Sequence, residues 1–209
     1  MNSRSVKAAP RRRILITGFE AFGGETINPT RMLVEATFQV PPGIELRGLL
    51  LPVVFGEGFA KLESELRTFR PDIVLSLGQA GGRSAIEFER LAINMIDGDQ
   101  KDNAGVSYLD VPIEPGSPLA LPSTLPVRAL AEHLTANGVP ARVSNSAGLY
   151  VCNEVFYRLQ LATLRSTVRS GFIHVPYLDE QVVGKNSPSM SFDDMKRGVE
   201  LILEKLAAD

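Results

Sequence analysis

The chain contains one cysteine, Cys152, and its surroundings suit nucleophilic chemistry. Residues 141–144 have the apolar character of a short buried strand, residues 145–148 are small and polar, and apolar residues recur at helical spacing from Val155. This pattern predicts that Cys152 lies in the first turn of a helix. Free backbone N–H groups and the positive end of the helix dipole favour an anion there, so we expect the thiolate to form more readily than in a free thiol. A buried structural thiol is the alternative, since free cysteines are among the most buried residues.

A cysteine nucleophile needs a general base, and the sequence offers two histidines, His133 and His174. His133 falls in the last turn of a predicted helix, where a favourable interaction with the free carbonyl groups accounts for a histidine without a catalytic role. His174 belongs to an apolar strand over residues 171–177, 22 residues after Cys152. One helix fills that span, so the thiol and the imidazole can share one edge of a sheet. His174 is therefore the preferred base.

A third group should fix the tautomer and the orientation of the imidazole ring. Residues 86–95 are predicted to form another strand, and Glu89 lies near its start. We take Glu89 as the orienting acid, with Glu87 and Asp97 as alternatives.

Two glycine-rich loops follow predicted strands and would lie at the carboxyl ends of those strands, where open α/β sheets bind ligands. The first, residues 18–24, contains Phe19 and Phe22, and it misses the G-x-G-x-x-G spacing of dinucleotide-binding loops. Two phenylalanines favour a flat apolar pocket over a phosphate site. The second loop, residues 78–83, presents Gln79 as its polar group, and a tight turn with an exposed amide is the alternative.

Composition bounds the class of protein and its partners. With 209 residues, of which 44% are hydrophobic and 22% charged, the chain can form one globular domain. We expect a disordered basic tail over residues 1–12 and one α/β domain over residues 13–209. A net charge of −2 argues against nucleic acid or a membrane surface as partner, because neither polyanion would attract a slightly acidic protein.

The single cysteine cannot form an internal disulfide, and the sequence has no apolar run of membrane-spanning or signal type, which favours a cytoplasmic location. The two histidines and the cysteine lie far apart without ligand spacing, so no metal site is predicted. Residues 97–126 are irregular and rich in glycine, proline and aspartate; so long a segment is typical of a lid or a subunit contact.

Five segments taken together resemble a known family. They are residues 18–24, 78–82, 89–94, 144–153 and 174–177. In this order they closely resemble the pyrrolidone carboxyl peptidases, also called pyroglutamyl peptidase I, over roughly residues 14–206. The resemblance implies a single-domain three-layer α/β/α sandwich with a mostly parallel, twisted central sheet, and a cytoplasmic cysteine exopeptidase that is often a homotetramer. It places the triad on Glu89, Cys152 and His174, and Arg90 beside the active site.

The sequence departs from the family pattern at a few positions. Ala21 and Lys101 stand where the family frequently has proline, and Glu87 stands where it commonly has serine or threonine. On a strand, Glu87 and Glu89 would point to the same face. A second carboxylate there would raise the pKa of one of the two or reposition the partner of the histidine.

The sequence thus predicts a thiol protease that removes an N-terminal pyroglutamyl residue from peptides through a thioester, without metal or cofactor. Phe19 and Phe22 would sandwich the flat lactam, and Asn28 and Gln79 would pair its amide group. Backbone N–H groups at the start of the Cys152 helix, helped by Arg90, would bind the oxyanion. A non-catalytic protein that binds a small ligand or nucleotide with the two glycine loops is the alternative.

Overall fold

The structure is a computed structural model that describes residues 11–208. Within this range the chain alternates strands and helices in its first half and carries three small strands in an irregular middle segment. The strands are β1 Arg12–Phe19, β2 Ile44–Leu51, β3 Ile73–Gln79, β4 Ile86–Glu89, β5 Leu91–Ile93, β6 Ile96–Gly98, β7 Tyr108–Val111, β8 Ala120–Pro122, β9 Ala141–Ser144 and β10 Arg169–Val175. The helices are α1 Pro29–Glu35, α2 Glu57–Phe69, α3 Val127–Ala136, α4 Val151–Thr163 and α5 Phe192–Ala208.

A six-stranded sheet in the order β2-β1-β3-β10-β4-β9 forms the centre of the fold. The pairs among β2, β1, β3 and β10 are parallel, β4 is antiparallel to β10, and β9 is parallel to β4. The predicted mostly parallel sheet is therefore confirmed, but β4 and β9 run opposite to the other four strands. Two small antiparallel pairs, β5 with β8 and β6 with β7, lie outside this sheet.

Helices cover both faces of the sheet, as the sandwich prediction requires. Alternate residues of a strand point to opposite faces, so Ile14 packs in one apolar cluster and Leu15 in the other. The first cluster joins the sheet to α1, α3 and α5, and the second joins it to α2 and α4. His133 is thereby separated from the predicted nucleophile, since His133 belongs to α3 on one face of the sheet and Cys152 belongs to α4 on the other.

Helix boundaries that depend on local chemistry agree with the sequence. The side chain of Asn28 accepts a hydrogen bond from the N–H of Thr30, and Pro29 occupies the first helical position of α1. Helix α2 ends at Phe69, because Arg70 turns into the left-handed region before Pro71. Within the described residues, no helix is long and apolar enough to span a bilayer.

Two predicted boundaries are wrong. The strand predicted over residues 86–95 ends at Glu89. The N–H of Arg90 makes the last bond to the main sheet, to the carbonyl of Ser144, and the chain then leaves that sheet because β5 pairs with β8. Arg12 was expected in the tail, yet it begins β1: its N–H donates to Gly43 and it pairs with Ile44. The rest of the predicted tail, apart from Arg11, lies outside the described residues.

The middle segment is fixed to the domain through Asp102. The buried carboxylate of Asp102 accepts hydrogen bonds from the N–H groups of Phe55, Ala104 and Val106. Burial alone would raise the pKa of Asp102, but these donors, with that of Gly105, lower it below its ordinary value. The neighbouring side chain of Asn103 donates to the carbonyl of Ala21 at 2.9 Å, which joins the segment to the first glycine loop.

Candidate active site

Cys152 and His174 line one cavity of about 330 Å³. Helix α4 begins at Val151, which places the thiol in its first turn, and β10 ends one residue after His174. The two side chains reach the same cavity because α4 runs back along the sheet before β10 returns. The first glycine loop contributes Phe22 to this cavity, and the end of β3 contributes Gln79.

Asn153 fixes the first turn of α4. Its side chain is fully buried, accepts a hydrogen bond from the N–H of Ile93 and donates to the carbonyl groups of Ile93 and Met95. All three bonds tie the start of the helix to β5 and to the residues that follow it. The helix's own hydrogen bonding starts with the N–H of Glu154, so the amide of Cys152 is not used by the helix.

The imidazole of His174 is oriented by Glu89. Its Nδ1 lies 2.7 Å from Oε1 of Glu89, with both side chains buried. The same oxygen lies 2.9 Å from Nη1 of Arg83. Because a guanidinium can only donate, Oε1 is an acceptor, and Nδ1 of His174 must carry the proton. The lone pair of the neutral ring is then on Nε2, the nitrogen that is free to act on a thiol.

Register explains why Glu89, and not Glu87, meets the histidine. His174 is the direct cross-strand partner of Glu87 in the antiparallel pair of β10 and β4. Glu89 lies two residues further along the same face, within diagonal reach of the ring. Glu87 is instead bound by Arg83 and by Arg142, its partner on β9. The third alternative, Asp97, is exposed and accepts from the N–H of Asp110.

The acidity of the thiol differs from the prediction. Burial, together with the charge of Glu89, raises the pKa of Cys152 to about 12, against the smaller lowering effects of Arg83 and the thiol's own backbone N–H. The favourable helix position is therefore outweighed by desolvation, and the expectation of a readily formed thiolate is wrong for the free protein. A nucleophilic role for Cys152 would therefore need a neighbouring base to remove the proton at the moment of attack.

This acidity predicts the pH dependence of alkylation. Iodoacetamide should label Cys152 more slowly at pH 7 than it labels glutathione, and the rate should still rise above pH 9, because only the thiolate reacts. The measurement is the labelling rate across pH by mass spectrometry, with Cys152→Ala as blank. A rate that reaches its plateau below pH 7 would show a preformed thiolate and contradict the prediction. Slow labelling would not, by itself, identify a structural thiol.

The predicted pocket residues divide into two groups. Phe22 and Gln79 line the cavity, and Oε1 of Gln79 accepts a hydrogen bond from Nε2 of Gln181 at 3.0 Å. This bond fixes the amide and leaves its N–H₂ group for a ligand. The ring of Phe22 lies 6.0 Å from that of Tyr150. The aromatic partner across the cavity is therefore Tyr150 and not Phe19.

The structure does not bring Phe19, Asn28 or Arg90 into this cavity. Phe19 is the last residue of β1 and packs in the core beside Phe172. Asn28 is buried as the cap of α1, where its amide donates to Glu20 and accepts from Thr30. Arg90 is exposed and lines a separate cavity beside α3 and β9, so it does not accompany Cys152.

Sequence reasoning missed four residues of the cavity: Arg83, Gln100, Tyr150 and Tyr177. The positions of Arg83, Tyr150 and Tyr177 could have been noticed, since each lies within a quoted motif or next to one, whereas Gln100 lies in the irregular middle segment. Their roles depend on contacts between distant segments, such as the hydrogen bond from Tyr150 to the carbonyl of Lys101. Burial, followed by the charges of Asp102 and Cys152, raises the pKa of Tyr150 to about 12, so it stays a neutral donor.

Comparison with known proteins decides the family. The family model of the pyroglutamyl peptidases matches residues 12–208. The chain belongs to the pyroglutamyl peptidase family. It is 44% identical over 207 residues to the pyrrolidone-carboxylate peptidase of Pyrococcus furiosus, covering 93% of this chain and 99% of that protein. It is 43% identical over 200 residues to the pyrrolidone-carboxylate peptidase of Clostridium perfringens, covering 93% and 92%.

Solved structures of pyroglutamyl peptidases have the same fold. The crystal structure of pyroglutamyl peptidase I from Bacillus amyloliquefaciens superposes with a TM-score of 0.91 at 35% identity, covering 95% of this chain and 96% of that one. A mutant pyrrolidone carboxyl peptidase from Pyrococcus furiosus superposes with a TM-score of 0.88 at 42% identity, covering 94% and 99%. The resemblance noted from five sequence segments is confirmed, and the α/β/α sandwich with it.

Proposed function

We propose that this protein is a cysteine peptidase that removes the N-terminal pyroglutamyl residue from peptides, with Cys152 as nucleophile, His174 as base and Glu89 as orienting acid. The observation that carries the proposal is the shared cavity, in which the only thiol of the sequence faces an imidazole already held by a buried carboxylate. Membership of the pyroglutamyl peptidase family supports the reaction.

The acyl transfer follows from the tautomer of His174. Nε2 takes the proton of Cys152 as the sulfur forms a bond to the pyroglutamyl carbonyl carbon. The carbon–nitrogen bond of the resulting tetrahedral intermediate then breaks, and His174 returns the proton to the departing amine. Water, deprotonated by the same nitrogen, then adds to the thioester carbonyl carbon; the carbon–sulfur bond breaks, His174 returns the proton to the sulfur of Cys152, and pyroglutamate is released. Glu89 stabilises the imidazolium that forms once during acylation and once during deacylation.

The oxyanion of each tetrahedral intermediate needs donors near the sulfur. Backbone N–H groups in the first turn of α4 supply them, because they are not used by the helix and point toward its N-terminal end. The side chain of Arg90 is excluded from this role by its position in the other cavity.

Specificity for the ring follows from the residues beside the thiol. The lactam is neutral and flat, and the faces of Phe22 and Tyr150 suit it, while the amide of Gln79 pairs with its polar edge. An ordinary amino terminus is charged. Its ammonium group would be buried here without a partner, which explains why such substrates should be rejected.

Location and assembly are part of the proposal. We place the protein in the cytoplasm, because its one cysteine is a catalytic thiol that a reducing compartment keeps free. We expect a homotetramer, as the family resemblance implies. Exposed apolar side chains of the middle segment support a subunit contact there, notably Leu109 at 65% and Leu119 at 86% exposure.

Comparing two fluorogenic substrates tests the ring specificity. Pyroglutamyl aminomethylcoumarin should be turned over, while the prolyl derivative should be nearly inert, because its ring lacks the lactam carbonyl and carries a charged nitrogen. Each unpaired amide group should cost roughly ten- to a hundredfold in kcat/KM. Gln79→Ala should reduce the ratio of kcat/KM between the pyroglutamyl and the prolyl substrate, whereas Phe19→Leu, a change in the core, should leave this ratio unchanged. Comparable turnover of both substrates by the unaltered protein would refute the pocket.

A further inference from the structure

Three charged side chains form a network with Glu89, the proposed orienting acid. Glu87 and Glu89 point to one face of β4, as alternation on a strand requires, and Nη1 of Arg83 binds both carboxylates. From β9, the opposite side, Arg142 binds Glu87 through Nε at 2.7 Å and through a second nitrogen. The side chain of Glu89 is 0% exposed and that of Glu87 is 6% exposed, so water screens these charges weakly.

We propose that Glu87 and Arg142 are positioning residues that balance the charge around Glu89 and thereby set the pH at which His174 works as a base. The four groups Arg83, Arg142, Glu87 and Glu89 sum to zero. Without Glu87, two guanidinium groups would face one carboxylate, and Glu89 would lose part of its ability to stabilise the imidazolium.

The other titratable and charged groups near Glu87 and Glu89 do not change the charge balance of these four side chains. On the cavity side, His174 extends from β10 and Cys152 from α4, and Tyr150 and Tyr177 are the remaining titratable residues besides the counted Arg83. On the outer side, Arg142 shares a cavity with Arg90, Arg128 and Glu132, which are exposed to water. Solvent screens those three charges, and the buried carboxylates dominate.

Opposite charge changes should move the pH profile in opposite directions. This test rests on the proposed function, since its main readout is the low-pH limb of kcat/KM on pyroglutamyl aminomethylcoumarin. Glu87→Gln leaves a net positive charge beside His174, which disfavours its protonation, and should move the limb to lower pH by about half a unit or more. Arg142→Gln leaves a net negative charge and should move it to higher pH, by less, because that side chain is 59% exposed.

The double variant and a matched arginine complete the test. Glu87→Gln with Arg142→Gln restores neutrality and should return the limb to its original position. Arg128→Gln removes the same charge from the same outer cavity, further from Glu89, and should leave the limb in place. Limbs that stay fixed, or that move in the same direction in both single variants, would overturn the proposal. A merely structural role would lower the plateau of activity without this pattern of signs.

A second readout keeps the inference separate from the proposed function. The alkylation rate of Cys152 against pH responds to the same charges, so its midpoint should move lower in Glu87→Gln and higher in Arg142→Gln. This measurement needs no peptidase activity. If the unaltered protein cleaves no pyroglutamyl substrate while the alkylation midpoints shift as stated, the proposed function is contradicted and the proposed charge balance is supported. If Glu87→Gln does not fold, Arg142→Gln alone decides, because an unshifted limb and midpoint would overturn the proposal.

Discussion

His174→Ala and Cys152→Ser should each lower kcat/KM on pyroglutamyl aminomethylcoumarin by about three to six orders of magnitude, whereas His133→Ala should retain most of it. The reason is the separation of the two histidines by the sheet: His174 lines the cavity of the thiol, and His133 lies on α3, on the other face. Neither replacement adds volume, so both proteins should fold, which thermal unfolding would verify.

Glu89→Gln belongs to the same set of variants and separates orientation from attack. It should cost less than Cys152→Ala, because the nucleophile and base stay in place while the ring loses its oriented tautomer. Rates are measured with enzyme concentrations fixed by absorbance and with the His133→Ala protein as control. A normal rate for His174→Ala would contradict the proposed triad. A normal rate for Glu89→Gln would show that another acid orients the histidine.

Gly78→Ala should impair activity by a factor of about 100 or more, although residue 78 carries no functional group. A Cβ atom there would lie 2.6 Å from Cε1 of Phe172 and 3.0 Å from Cδ2 of His174. Phe172 is fully buried between Phe19 and Phe156 and cannot yield, so the imidazole must move away from Glu89 and the thiol. Misplacement of about 1 Å is enough to cost two orders of magnitude in rate.

Gly171→Ala is the matched control for this steric argument. Its Cβ would lie 2.4 Å from Oγ of Ser123 and 2.6 Å from Cδ1 of Leu125, an overlap as severe but directed away from the imidazole. Both variants should lower the free energy of unfolding by about 1 to 3 kcal/mol. Gly78→Ala alone should lose kcat/KM per folded molecule, measured after correction for the folded fraction. Equal activity losses in the two variants would assign the effect to general destabilisation.

Local signals made much of the fold predictable. Asn28 and Pro29 specify the start of α1 by side-chain capping and a fixed φ, and the residue before Pro71 specifies the end of α2. The shared location of Cys152 and His174 was also within reach of sequence reasoning, because one thiol and two histidines leave few combinations. Five separate motifs then pointed to one family.

What the sequence could not provide depends on contacts between distant segments. Nothing local states that β4 runs against β10, and that register is what places Glu89, two residues from Glu87, on the imidazole. Phe19 and Phe22 look equivalent in one loop, but the strand extends to Phe19 and buries it. The acidity of Cys152 was misjudged because a helix terminus is visible in a sequence and the burial of a side chain is not.

The carboxylate of Asp102 joins several loops, so that these loops should open cooperatively. It accepts hydrogen bonds from the amides of two separate segments, at Phe55 and at Val106, while the adjacent residues Asn103 and Lys101 are bonded to Ala21 and Tyr150. These loops cannot open one at a time, so their amide hydrogens should exchange with solvent as a single unit. The lowered pKa of Asp102 adds stability that is present above the ordinary carboxyl range and lost only as pH falls through the lower value in the folded state. Mild acid should therefore leave these loops joined, because Asp102 stays ionised until the pH falls through its lowered value, and hydrogen exchange of the four segments should stay coupled down to that pH.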